Sequence, residues 1–137
     1  MTTSIDKNIL TLFVYGTLTR ASHHPFARRL AMESRFIGRG TVNGLLYSLG
    51  RYPGLVEDPG EKYRVHGEAV QLKNARSLAW LDDYEGCGPN WPAPQDYERK
   101  LLPVRLLDGA EIRCWIYVYK GSVSGFRRMP DGRFMPL

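Results

Sequence analysis

Two short stretches hold residues whose types and spacing can do chemistry. The first is Leu81-Asp82-Asp83-Tyr84-Glu85-Gly86, where three carboxylates crowd the end of a segment with helical periodicity. A helix C-terminus carries partial negative charge, so a carboxylate there is held against an unfavourable field. That placement costs stability. It also raises the carboxyl pKa toward the range in which one group can take and return a proton near neutral pH. The plainer reading of the same residues is a solvated acidic patch. The second stretch is Val14-Tyr15-Gly16-Thr17-Leu18, where a β-forming apolar run stops at a glycine. A glycine at such a point lets backbone N–H groups approach an anion closely. The plainer reading is an ordinary strand-to-loop turn, and one glycine makes neither a dinucleotide fingerprint nor a P-loop.

Other chemistry-bearing residues are less organised. His23, His24 and His66 lack ligand spacing on a helix face, so no metal site is expected. Cys87 and Cys114 show neither metal spacing nor a Cys-x-x-Cys pair and read as free thiols in a reducing compartment. The serines lack the setting of a nucleophile elbow. Trp115, Tyr117 and Tyr119 alternate along one strand and read as packing before they read as a stacking surface.

The elements that must position these residues are legible in outline. Asn8 to Tyr15 is a buried strand by its run of β-formers. Pro25 suits a first helical turn, with Phe26, Ala27 and Leu30 as the apolar stripe. Arg35 to Leu49 is β-like but interrupted by Gly38, Gly40 and Gly44, the pattern of a sheet that bends toward closure. Tyr52-Pro53-Gly54 is a turn signal, and a strand follows around Val65 to Val70. Asn74 serves as N-cap to a helix over Ala75 to Tyr84, and Gly86 stops it. Gly88 to Pro94, with three prolines, is irregular. Leu101 to Leu107 and Ala110 to Tyr119 flank Asp108-Gly109, which predicts a hairpin with a two-residue type I′ turn. The last seventeen residues are expected to be irregular. The sum is a small α+β protein with a curled, mostly antiparallel sheet.

The chain's 137 residues are expected to form one domain over 1–137. That length excludes folds needing about 250 residues, such as a (β/α)₈ barrel. The net charge of +5 comes from single or paired basic residues such as Arg28-Arg29 and Arg127-Arg128. Without a basic run, nucleic acid is not the expected partner, and the charge suits a small anionic substrate equally well. No apolar stretch approaches the roughly 18 residues of a membrane span, so no membrane partner is expected. The polar start, Met1 to Asn8, has no signal-peptide core, and the expected location is cytoplasmic.

Taken together, the two motifs resemble the γ-glutamylcyclotransferase-like family, which includes the plant avirulence-induced-gene-2-like proteins and small bacterial relatives. The matching pieces are Phe13-Val14-Tyr15-Gly16-Thr17-Leu18, Tyr52-Pro53-Gly54-Leu55-Val56, Leu81-Asp82-Asp83-Tyr84-Glu85-Gly86, Tyr97-Glu98-Arg99 and Trp115-Ile116-Tyr117-Val118-Tyr119. Their order and spacing run from about Leu12 to Tyr119. The resemblance implies a small mixed β-barrel of about six strands with short helices packed around it. It implies that Glu85 is the catalytic acid–base residue. It also implies that Tyr15, Gly16, Thr17 and Leu18 line the substrate pocket and offer backbone amides to a glutamyl group. Tyr117 is expected near the pocket floor, with Tyr97 and Arg99 as lesser lining residues.

The implied reaction is intramolecular. The α-amine of a γ-glutamyl compound attacks its own γ-carbonyl and releases 5-oxoproline and an amine or amino acid. No cofactor is expected, because nucleophile and electrophile share one molecule. The partner is then a small γ-glutamyl substrate, and the protein is expected to be a monomer or a homodimer. The segment between Glu85 and Tyr97 is longer than the short connection expected in many relatives. It suggests a lid that carries Trp91 over the pocket, and it puts glutathione itself in doubt as substrate. The alternative function is a non-catalytic binding module for a small carboxylate or amide metabolite.

Overall fold

The computed structural model describes residues 9–134. The polar start, Met1 to Asn8, lies outside the described residues. Five strands close a barrel in the order β1-β5-β2-β6-β7, with β1 Thr11–Val14, β2 Ser34–Asn43, β5 Arg64–Leu72, β6 Tyr97–Leu106 and β7 Glu111–Tyr119. Antiparallel pairing joins all but one of the seams. The exception is the parallel contact of β1 with β7 at Leu12 and Trp115, which makes the barrel mixed. Five strands agree with the small mixed barrel of about six that the resemblance implies. The remaining strands, β3 Leu45–Ser48, β4 Pro53–Val56 and β8 Arg127–Arg128, form a separate sheet in the order β4-β3-β8.

Alternation along the strands builds two apolar layers. Phe13, Val65, Ala69, Cys114, Ile116 and Val118 belong to one buried cluster, together with Leu46 of β3 and Leu55 of β4. The small sheet thus plugs the barrel interior. The opposite faces of the same strands, Leu12, Val14, Val70, Leu72 and Tyr117, pack with Leu30 and Leu81 of the two helices. Helix α1 spans Pro25–Met32, begins with Pro25 and buries Ala27 and Leu30. Helix α2 spans Ser77–Glu85 and buries Ser77 and Leu81.

Several local expectations are corrected. Helix α2 starts at Ser77 rather than Ala75, because the Asn74 side chain accepts from the Arg76 N–H at 2.8 Å and holds Ala75-Arg76 in a turn ahead of the helix. Tyr52-Pro53-Gly54 does not turn as a unit, since Pro53 opens β4 opposite Ser48. The β6–β7 hairpin is not type I′. Gly109 alone takes positive φ, at 91°, and its N–H donates to Leu106 O while the Leu106 N–H donates to Ala110 O. That is a three-residue loop with a type I turn followed by a left-handed glycine. The C-terminal stretch is not wholly irregular, because Arg127 and Arg128 pair with Ser48 and Tyr47. Of the interrupting glycines, Gly38 marks a register shift in β2, and Gly44 separates β2 from β3.

Candidate active site

Where β1 ends, the chain turns over Gly16 and Thr17, and the Thr19 N–H and hydroxyl both donate to Gly16 O. A Cβ at Gly16 would stand 2.5 Å from Pro53 Cγ, so only glycine lets this loop lie against β4. Among the described residues, the N–H groups of Gly16, Thr17 and Leu18 have no hydrogen-bond partner in the protein. Tyr15 pins the loop from inside. Its hydroxyl donates to Tyr117 O at 2.6 Å and accepts from the Leu55 N–H at 3.3 Å. Thr17 Oγ1 is tied to the Tyr84 hydroxyl at 2.6 Å.

The last residue of α2 faces this loop. The Cys87 N–H donates to Asp82 O and the Gly86 N–H to Asp83 O, the paired bonds of a Schellman stop. Gly86 takes φ 73° to make them possible. The helix therefore ends on Glu85, which lines a cavity of about 300 Å³ with the Tyr15–Leu18 loop, Tyr52, Pro53, Tyr84, Trp91, Tyr97 and Tyr117. Among the described residues that line it, Glu85 is the one carboxylic acid, and none is cationic. Burial in this wall, with the Asp82 charge adding to it, pushes the Glu85 carboxyl up to about 8. No hydrogen bond to the carboxylate opposes that shift.

Asp82 sits one helical turn before Glu85 and is treated quite differently. It accepts from Arg99 Nε at 2.8 Å and Nη2 at 3.3 Å, and from the Tyr117 hydroxyl at 2.6 Å. Tyr97 donates to Pro53 O at 2.7 Å. Burial holds the phenols of Tyr15, Tyr97 and Tyr117 above their ordinary range, so they serve as neutral donors. Cys87 is buried, and its thiol is pushed up to about 11, which leaves it no role as a nucleophile.

Among the residues singled out from sequence, Tyr15, Gly16, Thr17, Leu18, Glu85, Tyr97 and Tyr117 line this one cavity. Arg99 does not. It faces Tyr117 across the β6–β7 ladder, its guanidinium lies 4.5 Å from the Trp115 ring, and it is paired with Asp82 behind the wall. Sequence reasoning missed Asp82 as the partner that links Arg99 and Tyr117 to Glu85. The signal available was its i,i+3 spacing from Glu85. It also missed Tyr52 and Tyr84 as wall residues. The described residues contain no cluster of three or more His, Cys, Asp or Glu able to hold a metal. No helix of the described residues is long and apolar enough to cross a membrane.

Solved structures of AIG2-like and related proteins share this fold. An AIG2-like protein from Mus musculus superposes with a TM-score of 0.64 at 29% identity, covering 80% of this chain and 76% of that one. The solution structure of ytfP from Escherichia coli gives 0.63 at 31% identity, over 91% of this chain and 96% of its own. The chain belongs to the gamma-glutamyl cyclotransferase, AIG2-like family, whose model matches residues 12–135. The gamma-glutamylcyclotransferase family protein YtfP of Escherichia coli strain K12 is 32% identical over 127 residues, 92% of this chain and 96% of the relative.

Proposed function

We propose that this protein is an enzyme that cyclises γ-glutamyl compounds to 5-oxoproline and releases the attached amine. The observation that carries the reading is the Glu85 carboxyl, held near 8 without a hydrogen bond, in the same cavity as the unpaired amides of Gly16 to Leu18. A base in that range matches an α-ammonium group, whose ordinary value is about 8, so proton transfer between them is nearly even in free energy.

The steps follow from this pairing. The Glu85 carboxylate takes a proton from the α-ammonium, and the freed nitrogen attacks the γ-carbonyl carbon. The new C–N bond closes a five-membered ring while the π electrons move to oxygen. The loop amides of Gly16, Thr17 and Leu18 hold the charged oxygens of the glutamyl part, the α-carboxylate and the developing oxyanion. Protonated Glu85 then gives its proton to the leaving nitrogen, and the old C–N bond breaks. The ring nitrogen sheds a second proton by the same route, so the amine departs as an ammonium ion and Glu85 ends as it began. Both reacting groups are held in one molecule, which removes the entropy of bringing them together. Tyr15, Tyr97 and Tyr117 act as neutral wall residues that fix the cavity's shape.

A cavity built only to hold an anion gains nothing from a carboxyl aimed into it, which is why we favour turnover over binding alone. The test is mass-spectrometric detection of 5-oxoproline from a panel of γ-glutamyl amides and peptides. Glu85→Gln is expected to lower the rate by about 10²–10⁴-fold with the fold intact. Wild-type turnover in that variant removes Glu85 from the role.

A further inference from the structure

We infer that the amine half of the ligand is an arylalkyl group without a carboxylate, selected by Tyr52, Tyr84 and Trp91. This deepens the cyclisation reading above and rests on it. On that reading the glutamyl half engages Glu85 and the amides of Gly16 to Leu18. The rest of the ligand then meets aromatic rings. Tyr52 and Trp91 line the cavity yet keep 53% and 47% of their surface open, so a group that enters can bury them. Tyr84 lines the same cavity and packs against the first helix. Its hydroxyl is fixed by Thr17, and its ring meets Phe26 at 5.1 Å and His24 at 5.2 Å, both edge-on. Tyr52 and Tyr84 line the same cavity. A rim of pre-set rings rewards a ligand ring by stacking or edge contact and by removal of apolar surface from water.

Charge supplies the second half of the argument. Apart from Glu85, the lining residues among those described are uncharged. The Arg99 guanidinium behind the wall is already committed to Asp82 and Trp115. A carboxylate on the leaving group would press against the negative faces of the rings, and no lining residue among those described offers it a cationic partner. The glutamyl α-carboxylate is the one anion for which the loop supplies donors. A γ-glutamyl dipeptide carries a second one.

The test uses the γ-glutamyl amides of phenethylamine, ethylamine and 1,4-diaminobutane beside γ-glutamylphenylalanine and γ-glutamylalanine. The kcat/KM for 5-oxoproline formation is expected to be highest for the phenethylamide. It should exceed the ethylamide by about 10-fold and γ-glutamylphenylalanine by about 100-fold. In a Tyr52→Ala/Trp91→Ala double variant the phenethyl-to-ethyl ratio is expected to fall toward one. A dipeptide or the diamine as best substrate overturns the inference, as does an unchanged ratio in the double variant. Calorimetric binding of the same compounds to the Glu85→Gln protein separates the two levels of the argument. The same ranking without turnover in the native protein leaves the aryl preference standing and refutes the chemistry. Turnover of all five compounds with no ranking refutes the preference and leaves the chemistry.

Discussion

Glu85→Gln is expected to make the protein more stable as well as inactive, and the size of the gain depends on pH. The carboxyl titrates at about 8 in the folded chain against 4.5 as its ordinary value. Between those values the folded chain holds a proton that the unfolded chain has lost. Stability is therefore greatest below about pH 4.5 and falls as the pH rises toward about 8. At about 1.36 kcal/mol per unit the full effect has a ceiling of about 5 kcal/mol, with about 3 kcal/mol already lost at neutral pH. The drop between about pH 5 and about pH 8 is about 3.5 kcal/mol, and water inside the cavity would reduce it. Glutamine occupies the same volume and does not ionise, so it removes the slope. Urea unfolding of both proteins at several pH values between about 5 and 8 measures this directly. The stability difference should widen in favour of the variant as pH rises, while 5-oxoproline formation is lost. Parallel stability profiles would refute the reasoning, because they would mean that Glu85 ionises as an exposed carboxyl does.

Three further perturbations probe the surroundings. Asp82→Asn removes the negative charge that adds to burial at Glu85, so the acid limb of the kcat/KM profile, expected near 8, should move down by about one unit; an unmoved limb denies the coupling. Gly16→Ala forces a methyl group to within 2.5 Å of Pro53 Cγ, and the shifted loop should lower kcat/KM at least about 10-fold while circular dichroism keeps its native form. Glu33→Ala removes the acceptor of Ser77 Oγ at 2.6 Å and Trp80 Nε1 at 2.9 Å that ties the end of α1 to the start of α2, and should lower stability by about 1 kcal/mol after discounting for a side chain one-third exposed. Those hydrogen bonds hold the Glu33 carboxyl down to about 2, so this contribution is present above about 4.5 and disappears as pH falls toward about 2.

How much could be read from the sequence differs by the range of the interaction. The β6–β7 alternation, the Gly86 stop and the Pro25 start depend on neighbours within a few residues, and each is legible without a structure. The hairpin turn fails at one step. Asp108-Gly109 allows two positive φ angles, but the register of Arg105 against Glu111 leaves a three-residue loop in which Gly109 alone needs one. Pro53 misleads for a related reason. A proline can open an edge strand as easily as it can turn a chain, and pairing with Ser48 decides between them. The strand count depends on which β segments leave the barrel, and nothing local in Leu45–Ser48 or Arg127–Arg128 says that they pair with each other. At the site, the glycine loop and the acidic helix end stand out singly by residue type. Their meeting in one cavity depends on the β1–β7 seam, and within the sequence only the family resemblance joins them.

Arg99 carries the larger lesson about the site. A cation near a pocket for acidic substrates invites the role of carboxylate holder, yet its place opposite Tyr117 in the ladder turns it toward α2 and Asp82. There it makes a more useful distinction. Asp82 and Glu85 lie one turn apart at the same helix end, and both feel the same unfavourable dipole. Arg99 and Tyr117 supply the first with charge-assisted hydrogen bonds. Glu85 receives no such donors and is left to burial and to its neighbour's charge. One carboxyl is held in hydrogen bonds, and the other, left without them, has its pKa raised toward the range of proton transfer. The guanidinium therefore serves the site best from behind the wall. Inside the cavity it would stabilise the Glu85 carboxylate and lower its pKa.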